Sequence, residues 1–110
     1  MIISGGENVS PVEVESLLSL HPAVSEVAVV GLPDERWGQA VTAFVQATSP
    51  ITAEELDMFC ELSSLANFKR PRRFVFVKEI PKSAVGKLLR RKLVSGEYEP
   101  LLPIKKEFNA

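Results

Sequence analysis

Apolar residues recur every three to four positions in three stretches of the chain, a spacing typical of amphipathic helices. The first helix is expected to open with a capping box at residues 10–13, with proline at the first helical position. The second repeats the capping box at residues 52–55, and the third is a short basic helix near residues 87–95. The residues expected to face the core are Val14, Leu17 and Leu18 in the first helix, Leu56, Phe59, Cys60 and Leu62 in the second, and Leu89 and Leu93 in the third.

Strands are predicted at residues 24–31, 39–47 and 72–77, and residues 2–9 indicate a short strand that runs into a glycine turn. The run at 24–31 is apolar with little alternation, which predicts a central strand. It is followed closely by 39–47, which favours antiparallel pairing of the two. The order of elements predicts an α+β domain: a small, mainly antiparallel three-stranded sheet with helices packed on it.

Composition narrows the class of protein. The chain has 110 residues, 45% of them hydrophobic and 25% charged, which is typical of one globular domain. No apolar run approaches the roughly 18 residues that a membrane helix needs, and the first residues lack the pattern of a signal peptide. The single Cys60 excludes an internal disulfide, and one His with one Cys argues against structural zinc. We therefore expect no metal site in this chain and a cytoplasmic location.

Charge is distributed unevenly along the sequence. Residues 1–68 contain ten acidic residues and one base, whereas residues 69–92 contain ten of the thirteen bases and one acid. The basic stretch at residues 69–92 predicts an anionic partner, which could be a nucleotide, a nucleic acid or another protein domain.

The centre of this basic region is residues 81–91, which read Pro-Lys-Ser-Ala-Val-Gly-Lys-Leu-Leu-Arg-Arg. Gly86 permits backbone angles that a side chain disfavours, so the loop can present Lys87 on a tight turn. A lysine raised on a rigid loop beside further cations suits a phosphate or carboxylate ligand. The alternative is a solvated basic turn at the end of a domain.

This stretch resembles the last sequence motif of the adenylate-forming superfamily, which includes acyl- and aryl-CoA synthetases, luciferases and adenylation domains of peptide synthetases. The resemblance implies that Lys87 contacts the substrate carboxylate and ATP phosphate oxygens during adenylation. Residues 5–15 resemble the glycine-rich motif at the start of the C-terminal domain of that superfamily. There the resemblance implies that the backbone at Gly6 borders the tunnel through which the pantetheine thiol reaches the acyl-adenylate.

Residues 34–39 and 68–72 are similar to the corresponding segments of aryl-CoA ligases. This resemblance implies that Trp37 lines the pantetheine tunnel, that Phe68 packs on the CoA nucleotide, and that Arg70 and Arg72 meet its phosphates. An aromatic face with nearby guanidinium groups is physically suited to a nucleotide. The alternatives are that Phe68 anchors a loop in the core and that Trp37 is only a buried turn residue.

These resemblances imply that residues 1–96 are the C-terminal lid domain of an ATP-dependent carboxylic acid:CoA ligase that acts on an aromatic acid. Residues 97–110, with two prolines and Lys105-Lys106, are expected to be a loosely attached tail. The large N-terminal domain, which would bind most of the ATP, its Mg2+ and the acid, has no counterpart in these 110 residues. We therefore expect the chain to be inactive alone and to act with its own N-terminal domain on CoA and the acyl-adenylate.

Two alternatives remain at this point. One is an adenylation domain that serves a carrier protein, or a luciferase-like oxidative enzyme. The other is a small nucleic-acid-binding module that uses the basic strip, although that strip has few interleaved aromatic residues and no recognised binding signature.

Overall fold

The computed structural model describes residues 1–107 of the chain, and the side chains of residues 1–100. It contains six strands, three α-helices and one turn of 3-10 helix. The strands are β1 (Ile2–Ser4), β2 (Glu7–Val9), β3 (Val24–Asp34), β4 (Gly38–Ala47), β5 (Arg73–Val77) and β6 (Pro100–Glu107). The helices are α1 (Pro11–Leu18), α2 (Ala53–Glu61) and α3 (Arg90–Val94), and the 3-10 turn is Asn67–Lys69.

The main sheet has the strand order β3-β4-β5-β6. Strands β3 and β4 form an antiparallel hairpin, as the sequence predicted, whereas β4 and β5 are parallel. The parallel pairing follows from the connection between them, because α2 carries the chain back across the sheet before β5 begins. The predicted α+β class, with helices packed on a small sheet, is confirmed.

The structure adds a strand that the sequence pattern did not indicate. Within the segment predicted to be a loosely attached tail, Pro100–Glu107 forms β6 and pairs antiparallel with β5. Strand β5 has β4 on one side only, so its other edge needs a partner for its backbone hydrogen bonds, and β6 supplies it. Residues 108–110 of that segment lie outside the described residues.

Both faces of the sheet are covered by hydrophobic side chains. One buried cluster lies between the sheet, α1, α2 and the β1–β2 hairpin, and it includes Val14, Leu56 and Cys60. The second lies on the opposite face, where Leu93 of α3 packs with Phe44 of β4. This two-sided burial explains why β3 is apolar without alternation. The prediction that it is a central strand is nevertheless wrong, because β3 is at the edge of the sheet.

Capping interactions define the starts of the two longer helices. At α2 the predicted capping box is complete: Thr52 Oγ1 accepts from Glu55 N at 3.1 Å, and Glu55 Oε1 accepts from Thr52 N at 3.3 Å. At α1 only half of the predicted box forms. Ser10 Oγ accepts from Glu13 N at 3.4 Å, whereas the Glu13 carboxylate pairs with Lys69 instead of the Ser10 backbone. The expected burial of Leu62 is wrong, since this residue follows the last turn of α2 and is 79% exposed.

Candidate functional site

The residues 81–91 motif folds into a small closed loop that presents Lys87. Residues Lys82 and Leu88 form an isolated antiparallel bridge at its base. Above it, Ser83 N donates to Lys87 O at 2.8 Å, and Lys87 N donates to Ser83 Oγ at 3.1 Å. Gly86 has a φ of 82°, which is the positive angle that the sequence anticipated for it. The backbone of Lys87 is therefore fixed from two directions while its side chain is exposed.

Ion pairs hold both ends of this loop to the rest of the domain. Before the loop, the Lys82 ammonium pairs with the Glu26 carboxylate of β3. After it, the Arg90 guanidinium at the start of α3 donates to both oxygens of Glu15, at 2.7 and 2.8 Å. The Glu15 carboxylate also accepts from Val29 N at 2.8 Å. Since β3 is an edge strand, Glu15 satisfies a backbone donor there and connects α1, β3 and α3 at one point.

The turn between β3 and β4 carries Trp37 and is organised by Asp34. The Asp34 carboxylate accepts from Arg36 N at 2.9 Å and Trp37 N at 3.0 Å, and Arg73 donates to it at 2.6 Å. These interactions, the Trp37 N–H foremost, hold the pKa of Asp34 below its usual value despite partial burial. The turn is therefore fixed from within by one side chain.

The glycine-rich hairpin lies directly against Trp37. Gly5 N donates to Trp37 O at 2.8 Å, and a Cβ on Gly5 would lie 3.1 Å from Trp37 Cε3. Gly5 and Gly6 both have positive φ, and no atom lies within 4 Å of the position that a Gly6 Cβ would occupy. The structure thus places the glycine pair beside Trp37 through Gly5, and the Cβ position of the next residue, Gly6, faces open space.

Arg72 is the third member of this cluster. Its Cζ lies 3.6 Å from the centroid of the Trp37 ring, and the residue is only 8% exposed. Burial lowers the pKa of Arg72, and the nearby Arg36 guanidinium acts in the same direction. Arg36 also approaches the Trp37 ring, with its Cζ 4.8 Å from the centroid. Trp37 is half-buried between these neighbours rather than a core residue.

Phe68 and Arg70 lie on the segment that leads to Arg72. Phe68 is in the 3-10 turn and is 38% exposed, so it is not an anchor in the core. Arg70 donates through NH2 to both oxygens of Asp57, each at 2.9 Å. An anion at Arg70 would therefore meet a guanidinium that is already partly engaged.

The two groups of predicted site residues lie at opposite ends of β3. The Lys87 loop is attached near the start of this strand through Glu26, whereas Asp34 and Trp37 are at its end. Glu26 and Asp34 are eight positions apart along the extended strand, which corresponds to roughly 26 Å. The structure therefore does not bring Lys87 together with Gly6 and Trp37.

Two of the residues that organise these groups were not found from the sequence. Glu15 belongs to the glycine-rich motif but its long-range partners have no sequence signal. Asp34 did have a sequence signal. Its carboxylate accepts from the N–H groups two and three residues later, which is typical of an Asx turn. Among the described residues no group of three or more His, Cys, Asp or Glu side chains could hold a metal ion. None of the three described helices is long and apolar enough to cross a membrane.

This fold, with a lysine loop and a glycine-rich hairpin at its two ends, is that of the C-terminal domains of adenylate-forming enzymes. The profile of the family described as "AMP-binding enzyme C-terminal domain" matches residues 13–87, and the chain belongs to this family.

Known proteins similar to this chain agree with that assignment. The chain is 58% identical over 96 residues to 4-chlorobenzoate–CoA ligase of Pseudomonas sp. (strain CBS-3), covering 86% of this chain and 18% of that protein. It is 48% identical to 2-succinylbenzoate–CoA ligase of Bacillus cereus (strain ATCC 10987 / NRS 248), covering 84% of this chain and 19% of that protein. A double mutant of o-succinylbenzoate CoA synthetase from Bacillus subtilis, bound with its product analogue OSB-NCoA, superposes with a TM-score of 0.82 at 43% identity, over 91% of this chain and 20% of that chain.

The resemblance to aryl-CoA ligases, and to 4-chlorobenzoate:CoA ligase in particular, is confirmed by these matches. The chain spans less than a fifth of the length of these two relatives. Neither carrier-protein adenylation nor nucleic-acid binding finds support in these similarities.

Proposed function

We propose that this chain is the lid domain of an ATP-dependent carboxylic acid:CoA ligase that acts on an aromatic acid in the cytoplasm. The observation that best supports the proposal is the placement of the Lys87 loop and the Gly6–Trp37 cluster at opposite ends of one sheet. A domain built in this way can serve two steps in turn by rotating about a hinge, a common mode of switching.

In the first step, the acid carboxylate attacks the α-phosphate of ATP, giving acyl-AMP and pyrophosphate. Lys87 places its ammonium group where negative charge gathers on the carboxylate and the α-phosphate, and the closed loop holds it there before the reaction begins. The large domain supplies the remaining ATP contacts and Mg2+.

In the second step, the lid turns and brings Gly6 and Trp37 to the reacting centre. The CoA thiol, having lost its proton, attacks the acyl carbonyl carbon, the thioester bond forms, and AMP leaves. Gly6, with no side chain, leaves room for the pantetheine arm, and Trp37 forms one wall beside it. Phe68 stacks on the CoA nucleotide and Arg70 meets its phosphates. A phosphate role for Arg72 would require its guanidinium to leave the Trp37 ring.

The proposal is tested by measuring the two half-reactions separately in the full-length enzyme by rapid quench. Lys87→Ala should raise the barrier to acyl-AMP formation by roughly 2.7–4 kcal/mol, the range for losing one preorganised charge stabiliser. Supplied with pre-made acyl-AMP, the same variant should form the thioester at a near-normal rate. Gly6→Leu should show the reverse pattern, because its side chain would project into the tunnel.

Matched controls separate these effects from misfolding. Gly96 has a φ of 82° and open space like Gly6, so Gly96→Leu carries the same backbone strain away from the tunnel. Lys78→Ala removes an exposed lysine elsewhere. Both controls should leave the two half-reactions nearly unchanged. If Lys87→Ala slows thioester formation as strongly as adenylation, the two-conformation mechanism is wrong.

A further inference from the structure

Arg72 is held in place by both its backbone and its side chain. Its N–H donates to Val41 O at 2.8 Å, which ties the start of β5 to β4. Its side chain extends to Trp37, where Cζ lies 3.6 Å from the ring centroid. Arg72 Nε is buried without a hydrogen-bond partner among the described residues. The guanidinium therefore packs on the indole ring and forms no ion pair with a carboxylate among the described residues.

Trp37 is constrained from several sides at once. Its carbonyl accepts from Gly5 N at 2.8 Å, and its own N–H is bound by Asp34 at 3.0 Å. Arg73 in turn pairs with Asp34 at 2.6 Å. These contacts fix the backbone of the turn, but the orientation of the ring depends on what lies against its face. A planar guanidinium there stacks on the indole and attracts it through the ring quadrupole.

We propose that Arg72 is a positioning residue that holds the Trp37 indole as a fixed wall of the pantetheine tunnel, and that it is not a ligand of the CoA phosphates. This inference rests on the proposed function. Arg72 is 8% exposed as a residue and its guanidinium contacts the ring, so the guanidinium has to abandon that contact to reach a phosphate in solvent. Arg70 and the exposed Phe68 remain as the contacts for the nucleotide end of CoA.

Two acceptors separate a positioning role from phosphate binding. Pantetheine carries the same thiol arm as CoA but has neither the nucleotide nor its phosphates. Replacing a residue that positions Trp37 should slow thioester formation equally with both acceptors, because both thiols pass along the same wall. A residue that binds phosphate affects CoA alone.

The experiment uses the full-length ligase, pre-made acyl-AMP, and either CoA or pantetheine as acceptor. Arg72→Gln should lower the rate of thioester formation by roughly 3- to 30-fold with both acceptors, which corresponds to losing one partly desolvated cation–π contact. Arg72→Lys keeps the charge but loses the planar group, so it should not restore the normal rate. Arg70→Gln should slow the reaction with CoA and spare pantetheine, whereas Lys78→Gln should change neither.

A second readout follows the ring itself. Trp37 is the only tryptophan in the 110-residue chain, so its fluorescence reports this contact directly. In the 110-residue chain, acrylamide quenching of the Trp37 fluorescence should increase in the Arg72→Gln and Arg72→Lys variants and stay unchanged in Lys78→Gln. Adenylation by the full-length variants shows that they are folded.

The proposal is overturned if Arg72→Gln slows transfer to CoA alone, if it slows neither acceptor, if Arg72→Lys restores transfer to CoA, or if quenching is unchanged. If the wild-type enzyme does not form a CoA thioester at all, it is the proposed function that fails. The quenching measurement then still decides whether Arg72 holds the ring.

Discussion

At the scale of single residues, the cations around the lysine loop differ in what surrounds them. Lys82 and Arg90 are paired with Glu26 and Glu15. For the exposed Lys87 side chain, no hydrogen bond or ion pair is found within the described part of the chain. An ammonium group without a protein partner carries no competing interaction that a ligand must displace. This difference favours Lys87 over Lys82 and Arg90 for the proposed anion-binding role.

Cys60 gives a prediction at the same scale. The residue is fully buried, and burial raises the pKa of its thiol from an ordinary value of 9.0 to about 11. The thiolate is the reactive form, so the native thiol should be nearly inert to Ellman's reagent at pH 8 and should react at once in guanidinium chloride. Ser49→Cys, at an exposed position, should react quickly in the native protein. Fast native labelling of Cys60 would contradict its placement in the core.

The raised pKa of Cys60 also predicts how the free energy of unfolding changes with pH. The pKa is raised in the folded state, so the contribution of Cys60 is fully present below pH 9.0 and is lost as the pH rises toward about 11. In that range the unfolded state releases the proton and the folded state keeps it. Urea denaturation of wild type and Cys60→Ala at pH 8 and pH 10 should show the steeper decline in the wild type.

At the scale of elements, Glu15 connects three parts of the fold that are distant in sequence. Glu15→Gln leaves one acceptor oxygen for two donors, Val29 N and the Arg90 guanidinium. We expect the free energy of unfolding to fall by roughly 1.5–3 kcal/mol, the range for hydrogen bonds to a charged group. Glu13→Gln is the matched control on the same helix, since it breaks the more exposed pair with Lys69 and should cost about 1 kcal/mol or less. Equal losses in the two variants would contradict the connecting role of Glu15.

The start of α2 gives a second prediction for an element. Thr52→Ala removes the side-chain acceptor for Glu55 N, so it should lower the free energy of unfolding by about 1 kcal/mol. Thr52→Ser keeps the oxygen and should cost much less. Urea denaturation monitored by circular dichroism measures both. A loss in Thr52→Ser as large as in Thr52→Ala would mean that the methyl group, rather than the cap, stabilises the helix.

At the scale of the whole molecule, the fold holds the Lys87 loop and the glycine-rich hairpin with Trp37 apart. We expect the 110-residue chain to fold, as judged by its far- and near-UV spectra, but to form no acyl-AMP. The large domain expected to bind most of the ATP has no counterpart in these 110 residues, and no group of three or more His, Cys, Asp or Glu among the described residues could hold a metal ion. ATP–pyrophosphate exchange measures this directly, with the full-length enzyme as the positive control. Robust exchange by the chain alone would overturn the expectation.

The sequence alone determined the local features of this domain. The capping box at Thr52, the positive φ of Gly86 and the buried positions of Val14, Leu18, Leu56 and Cys60 follow from patterns within a few residues. The motifs around Lys87 and Gly6 were likewise recognisable, and they indicated the family that the comparison then confirmed.

Only the tertiary structure decided which of these features are neighbours. Hydrophobic pattern reports whether a strand is buried, not which strands flank it, so β3 was expected at the centre of the sheet and lies at its edge. Arg70 and Arg72 share a motif two residues apart, yet one binds Asp57 and the other stacks on Trp37. Those partners lie 13 and 35 positions away in sequence, and contacts over such separations are set by how the elements pack.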